Sequence, residues 1–182
     1  MKKEIFLSDP SNISMNIVGM LYNLQLLRFA GEDGVAAYGV MMYVNFVFIA
    51  MFIGYSIGTS PVVGFHYGAQ NHSELKSILR KSAVLIGIGS VAMYLAGVLL
   101  ARPLSEIFVS YDRELLEITV HGFYIFAVSF LPVGYAIFLP GFFTALSDGL
   151  VSAIISFTRT MIFQVAAVLL LPIAFGIDGI WW

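Results

Sequence analysis

Cysteine is absent from the 182 residues, which excludes disulfides and thiolate metal sites. Charge is scarce as well: 11% of residues are Asp, Glu, Lys or Arg, against roughly 25% in soluble domains. No Lys, Arg, Asp or Glu occurs in 10–27, 34–73, 82–101, 118–147 or 160–177. The net charge of −2 gives no basic footprint for nucleic acid. Alternation of apolar and polar residues over about 10 positions, the mark of a membrane β-barrel, is also missing. What remains is apolar: 59% of residues are hydrophobic and the mean hydropathy is +0.91. A bilayer core about 30 Å thick needs about 20 apolar helical residues. Five charge-free runs in so short a chain leave too little polar sequence to cover them in water. Helices satisfy every backbone group within lipid, so the sequence predicts an all-α, polytopic membrane bundle of about five transmembrane helices.

Residues 1–11 read as a polar or interfacial lead-in, because Glu4 and 8–12 interrupt any secretory apolar region. The helix bundle then occupies 12–182, with spans expected near 12–30, 35–66, 82–101, 118–146 and 150–175. The second would be about 48 Å long, so it must tilt, protrude or break, and Gly54, Gly58 and Pro61 offer the break. Connectors are expected at 31–34, at 68–81, over an acidic 102–117 containing a short helix, and at Ser147-Asp148-Gly149. Placing the N-terminus inside puts Lys2, Lys3, Lys76, Arg80, Lys81 and Arg159 on the inner side. Arg28, Arg102 and Arg113 then lie outside, and this bias sets the expected orientation. Trp181-Trp182 is expected at a membrane interface, in a chain that stops as a further helix begins.

Residues 54–72, Gly-Tyr-Ser-Ile-Gly-Thr-Ser-Pro-Val-Val-Gly-Phe-His-Tyr-Gly-Ala-Gln-Asn-His, are followed by Leu75-Lys76. This stretch resembles the eighth helix and following loop of the multidrug and toxic compound extrusion (MATE) transporters. Gly34-Val-Ala-Ala-Tyr-Gly39 looks like the entry to that helix, and Gly176-Ile-Asp-Gly-Ile-Trp181 like the turn into the family's last helix. The likeness covers 12–182, as helices seven to eleven and the start of twelve, the C-terminal half. It implies two helical bundles around a central cleft and alternating access. It also implies export of organic cations or lipophilic drugs in exchange for protons or sodium ions, with no cofactor beyond that counter-ion. The expected setting is a bacterial-type inner membrane. The expected partners are the lipid bilayer, small organic cations or drugs, and a missing N-terminal bundle or second copy. A non-transporting membrane subunit or inactive fragment is the alternative.

Candidate substrate-facing residues follow from spacing. Asn12, Asn16, Met20 and Asn23 share one face of the first span, which reads as a cleft wall or as polar glue between helices. Met41, Asn45, Phe48, Phe52 and Tyr55 form a second stripe, either an aromatic surface for a cation or packing. Tyr124, Phe130 and Tyr135 invite the same two readings. Pro61, Pro132 and Pro140, with nearby glycines, read as hinges or as ordinary membrane-helix residues. His121 is the one titratable candidate near an outer helix end, and Arg159 is expected to snorkel from the inner end of its span. No charge-free span contains Asp or Glu, so ion coupling would come from the other bundle. His66 and His72 lack a third strong ligand, so metal binding is not expected there. No nucleophile–base constellation points to an enzyme.

Overall fold

Gly31 carries the decisive backbone feature of the N-terminal half. Its φ of 64° and ψ of −156° interrupt α1 (Pro10–Gly68), a conformation open essentially to glycine alone. Tyr22 and Tyr38 stack with centroids 4.6 Å apart. A straight helix would hold residues sixteen apart about 24 Å from each other. The chain therefore folds back at Gly31 into two antiparallel arms, 10–30 and 32–68. The computed structural model describes residues 10–176 and 178–181, with side chains from Val18 onward except those of 160 and 161. The lead-in over 1–9, Ile177 and Trp182 fall outside the described residues.

After the first hairpin come α2 (His72–Val109), α3 (Arg113–Phe126), a 3₁₀ turn (Ala127–Ser129) and α4 (Phe130–Ala145). Then follow α5 (Gly149–Phe157), a π-helical segment (Thr158–Gln164), α6 (Val165–Phe175) and α7 (Asp178–Trp181). Among the described residues there is no strand, and four helical stretches are long and apolar enough to cross a membrane. The first of these is the folded hairpin, so the passes number five.

Side-chain pairings give the directions of the passes. The second arm runs parallel to α3–α4, since Met41 meets Gly122, Phe52 meets Gly134 and Gly64 meets Ala145. Against α4, α2 is antiparallel, with Gly97 against Phe130 and Gly87 against Tyr135. Ser82, Ser90, Gly97, Ala101 and Ser105 form a buried stripe of small residues along α2, which lets helix backbones approach closely where lipid supplies no hydrophobic drive. Phe52, Ile86, Phe123, Phe130 and Phe138 fill the interior. The turns at 69–71 and 146–148 lie at one end of the bundle, and Gly31, Ser110 and Gly176 lie at the other.

Several connectors are shorter than the sequence suggests, because single side chains cap the helices. Asn71 Oδ1 accepts from Glu74 N at 3.3 Å, so α2 begins at His72 rather than Ser82. Asp112 Oδ1 accepts from Glu114 N and Leu115 N at 3.0 and 3.2 Å. The acidic connector shrinks to 110–112, and helix occupies the rest of 102–117. Asp148 Oδ1 accepts from Val151 N at 3.1 Å and opens α5, as the tight turn led one to expect.

The second arm does not break at Gly54, Gly58 or Pro61; it stays helical from 32 to Gly68. Thr59 Oγ1 donates to Tyr55 O and Ser56 O in the turn before the proline. The 37 residues of this arm span about 55 Å, so it must tilt or protrude. Pro132 sits in the first turn of α4, where a missing N–H costs nothing, directly after the 3₁₀ turn. Trp181 is not interfacial: it is buried against Gly122, its ring 3.0 Å from where a Cβ would stand. The chain reverses at Gly176 (φ 62°), and Tyr22 Oη donates to Ile180 O, which pulls α7 inward.

Candidate functional site

The two arms of α1 place the candidate residues at defined levels. Tyr22 faces Tyr38, and Gly34 lies beside Leu26, so Met20 is level with Val40 and Asn23 with Ala37. Asn16 lies on the same arm, but its side chain falls outside the described residues. Met20 is 68% exposed. Asn23 is exposed too, and its Nδ2 donates to Gly19 O at 3.0 Å, within its own helix. Among the described residues neither forms a hydrogen bond to another helix. Their face is open, flanked by the stretch α5–π–α6, which buries little of itself against the rest of the bundle. Gln25 Nε2 donates to Val168 O at 3.4 Å and ties that stretch to the first arm.

The second stripe turns the other way. Met41 and Phe52 are buried, and Phe48 packs on Phe130 at 5.1 Å. Tyr55 Oη donates to Ser82 Oγ at 2.8 Å, and its ring lies 5.9 Å from Phe138. Half-buried Asn45 reaches Met42 Sδ at 3.9 Å on its own arm. Apart from Asn45, these residues join helices within the bundle. On α4, Tyr135 Oη donates to Ala83 O at 2.9 Å. Tyr124 belongs to a separate hollow of about 200 Å³, shared with Arg102, Arg113, Glu117 and His121. His121 Nε2 is 2.8 Å from Asp178 Oδ1, joining α3 to α7, and Arg102 pairs with Glu106 at 3.1 Å. Among the described residues no group of three His, Asp or Glu could hold a metal ion.

Arg159 has a partner that the sequence does not reveal. It stands ten residues beyond Gly149, where α5 begins, or about 15 Å along the helix. Its Nη1 donates to Ala136 O of α4 at 2.6 Å. Ala136 is the residue whose carbonyl would normally accept from position 140, and Pro140 has no N–H to give. The guanidinium fills the vacancy left by proline. Pro140 O in turn accepts from Thr144 Oγ1 and Ser152 Oγ at 2.8 and 2.9 Å. The signal was present in sequence as a proline and a lone arginine; that they lie side by side was not.

The family model described as MatE matches residues 10–170. The chain belongs to the MatE family. It is also similar to the "Probable multidrug resistance protein YoeA" of Bacillus subtilis (strain 168), with 30% identity over 141 residues. That alignment covers 72% of the chain and 29% of the relative, so the chain spans under a third of that relative's length. No solved structure matches. As a MatE protein, the chain is a multi-pass membrane helix bundle.

Proposed function

We propose that this MatE chain forms one helical bundle of a two-bundle exporter. The exporter moves organic cations or lipophilic drugs outward across a bacterial-type inner membrane in exchange for protons or sodium ions. The match to the MatE model over 10–170 carries this reading. Support comes from the open face of the first arm, where Met20 and Asn23 are exposed. In this proposal Asn16, Met20 and Asn23 line the cleft. Asn45, Tyr55 and Tyr124 serve substrate only if the bundle rearranges, with bending at Pro61 and Pro132. The other bundle, from a longer chain, a partner or a second copy, supplies the ion-binding carboxylate, since the charge-free spans hold none. The N-terminus faces the cytoplasm.

The test is ethidium accumulation in efflux-deficient cells with verified membrane levels of this chain. It is expressed alone and beside a MATE N-terminal bundle. Lowered accumulation with the added bundle is the expected result, and Asn23→Leu should abolish it without lowering membrane level. Unchanged accumulation in both settings would favour a non-transporting membrane subunit.

A further inference from the structure

Lys76, Arg80 and Lys81 line an open groove along the first four turns of α2, together with Val84, Leu85 and Ile88. Steps of three, four and eight residues keep the cations and the apolar side chains on one side of the helix. Ser73 and Ser77 add two hydroxyls among the cations. Glu74, the only acidic residue at this end of α2, does not line the groove. Three positive charges thus cluster within two turns, and none of them forms an ion pair among the described residues.

The apolar part of the groove continues. Val91, Leu95 and Leu99 are exposed on the same side of α2, while the opposite side carries the buried stripe from Ser82 to Ser105. From Val84 to Leu99 this face runs about 22 Å without a polar side chain. It differs from the first arm, whose open face presents the Asn23 amide. A polar amide suits a protein cleft, whereas an unbroken aliphatic strip suits hydrocarbon. The strip starts where the cations end, so one molecule with an anionic head and apolar tails fits both parts.

We propose that this groove binds an anionic glycerophospholipid, its phosphate among Lys76, Arg80 and Lys81 and an acyl chain along Val84, Leu85 and Ile88. Juxtamembrane cations attract acidic headgroups through charge, and here the Ser77 hydroxyl can donate to a phosphate oxygen as well. The proposal needs only that α2 crosses a bilayer; it does not depend on transport. It assigns the basic cluster a ligand as well as a part in setting orientation.

The experiment uses the purified full chain in neutral detergent, offered phosphatidylglycerol or phosphatidylcholine at equal concentration. Retained lipid is counted by native mass spectrometry. Phosphatidylglycerol should be retained and phosphatidylcholine lost. A K76Q/R80Q/K81Q variant should weaken retention about 100-fold, roughly fivefold per charge removed. The charge-conserving K76R/R80K/K81R variant should keep it, as should R102Q/R113Q at the other end. Equal retention of the two lipids by the unaltered chain would overturn the proposal, and that comparison needs no variant to fold. Undiminished retention in the triple variant would also overturn it. Displacement by soluble glycerophosphoglycerol would point to a free-phosphate site and likewise exclude the lipid.

Discussion

Pro140 and Arg159 show how one missing hydrogen can organise a contact between helices. Pro140 leaves the carbonyl of Ala136 without its usual donor four residues on, and an arginine from the π-helical segment donates to it at 2.6 Å. An unpaired buried carbonyl costs roughly 1–3 kcal/mol, so each residue makes the other tolerable. The coupling can be measured. Pro140→Ala restores an N–H for Ala136, so Arg159→Leu should be less harmful in that background, by about 1 kcal/mol. Reversible unfolding in mixed micelles, run as a double-mutant cycle, reads this directly; a coupling near zero would show that the guanidinium is not needed by the carbonyl. Close packing gives a second residue-scale expectation. A Cβ on Gly134 would lie 2.7 Å from Ile86 and 2.8 Å from Phe52, both in the core. Gly134→Ala should cost about 1–3 kcal/mol through overpacking, seen as a lower melting temperature in detergent. A melting temperature equal to that of the parent chain would mean the interior yields more than these distances suggest.

Among the elements, the hairpin at Gly31 is what turns one long apolar run into two passes. The Gly31-Glu32-Asp33-Gly34 cluster made this break legible in the sequence, and only the residue bearing it had to be learned. Connectors were harder to read. Charge marks where a helix leaves the bilayer, not where it ends, so α2 and α3 carry polar turns beyond their apolar cores. At Pro61 the expected break is absent, because α1 stays helical through that proline. Introduced cysteines can test the hairpin without background, since the chain has none. Tyr22→Cys with Tyr38→Cys should form a disulfide or short cross-link within one molecule. A straight helix would hold them about 24 Å apart and leave both thiols free. Gly31→Val should lower the yield of that cross-link, because a β-branched residue at this φ is strained by about 1–3 kcal/mol.

Across the whole molecule, the five passes alternate in direction and sort the turns into two sets. The turns at 69–71 and 146–148 share one end, and the turns at Gly31 and 110–112 share the other. The order of spans read from the sequence implies the same sorting, and the Lys and Arg distribution serves only to choose which set lies inside. Which set faces the cytoplasm is a matter for labelling. With the N-terminus inside, Ser110→Cys should react with an impermeant maleimide on intact cells, whereas Ser73→Cys and Ser147→Cys should react only after lysis. The reverse pattern would invert the proposed orientation. The site was less legible than the fold. Helical periodicity puts Asn16, Met20 and Asn23 on one face, yet it could not tell an outward stripe from an inward one. Tyr55 turned inward because α2 and α4 close over the second arm, a fact of assembly.

Arg159 belongs to the stretch Gly149–Phe175, which is long and apolar enough to cross a membrane, so its charge can sense the electric field where that stretch crosses. A full elementary charge moved across 100 mV exchanges about 2.3 kcal/mol. Should α5–π–α6 shift its depth by a third of the bilayer during a cycle, voltage alone would bias the two positions by about 0.8 kcal/mol. The same arginine that completes a proline-interrupted helix would then make the bundle a voltmeter. Clamping the potential with valinomycin and potassium while comparing parent and Arg159→Gln bundles would reveal whether the needle moves.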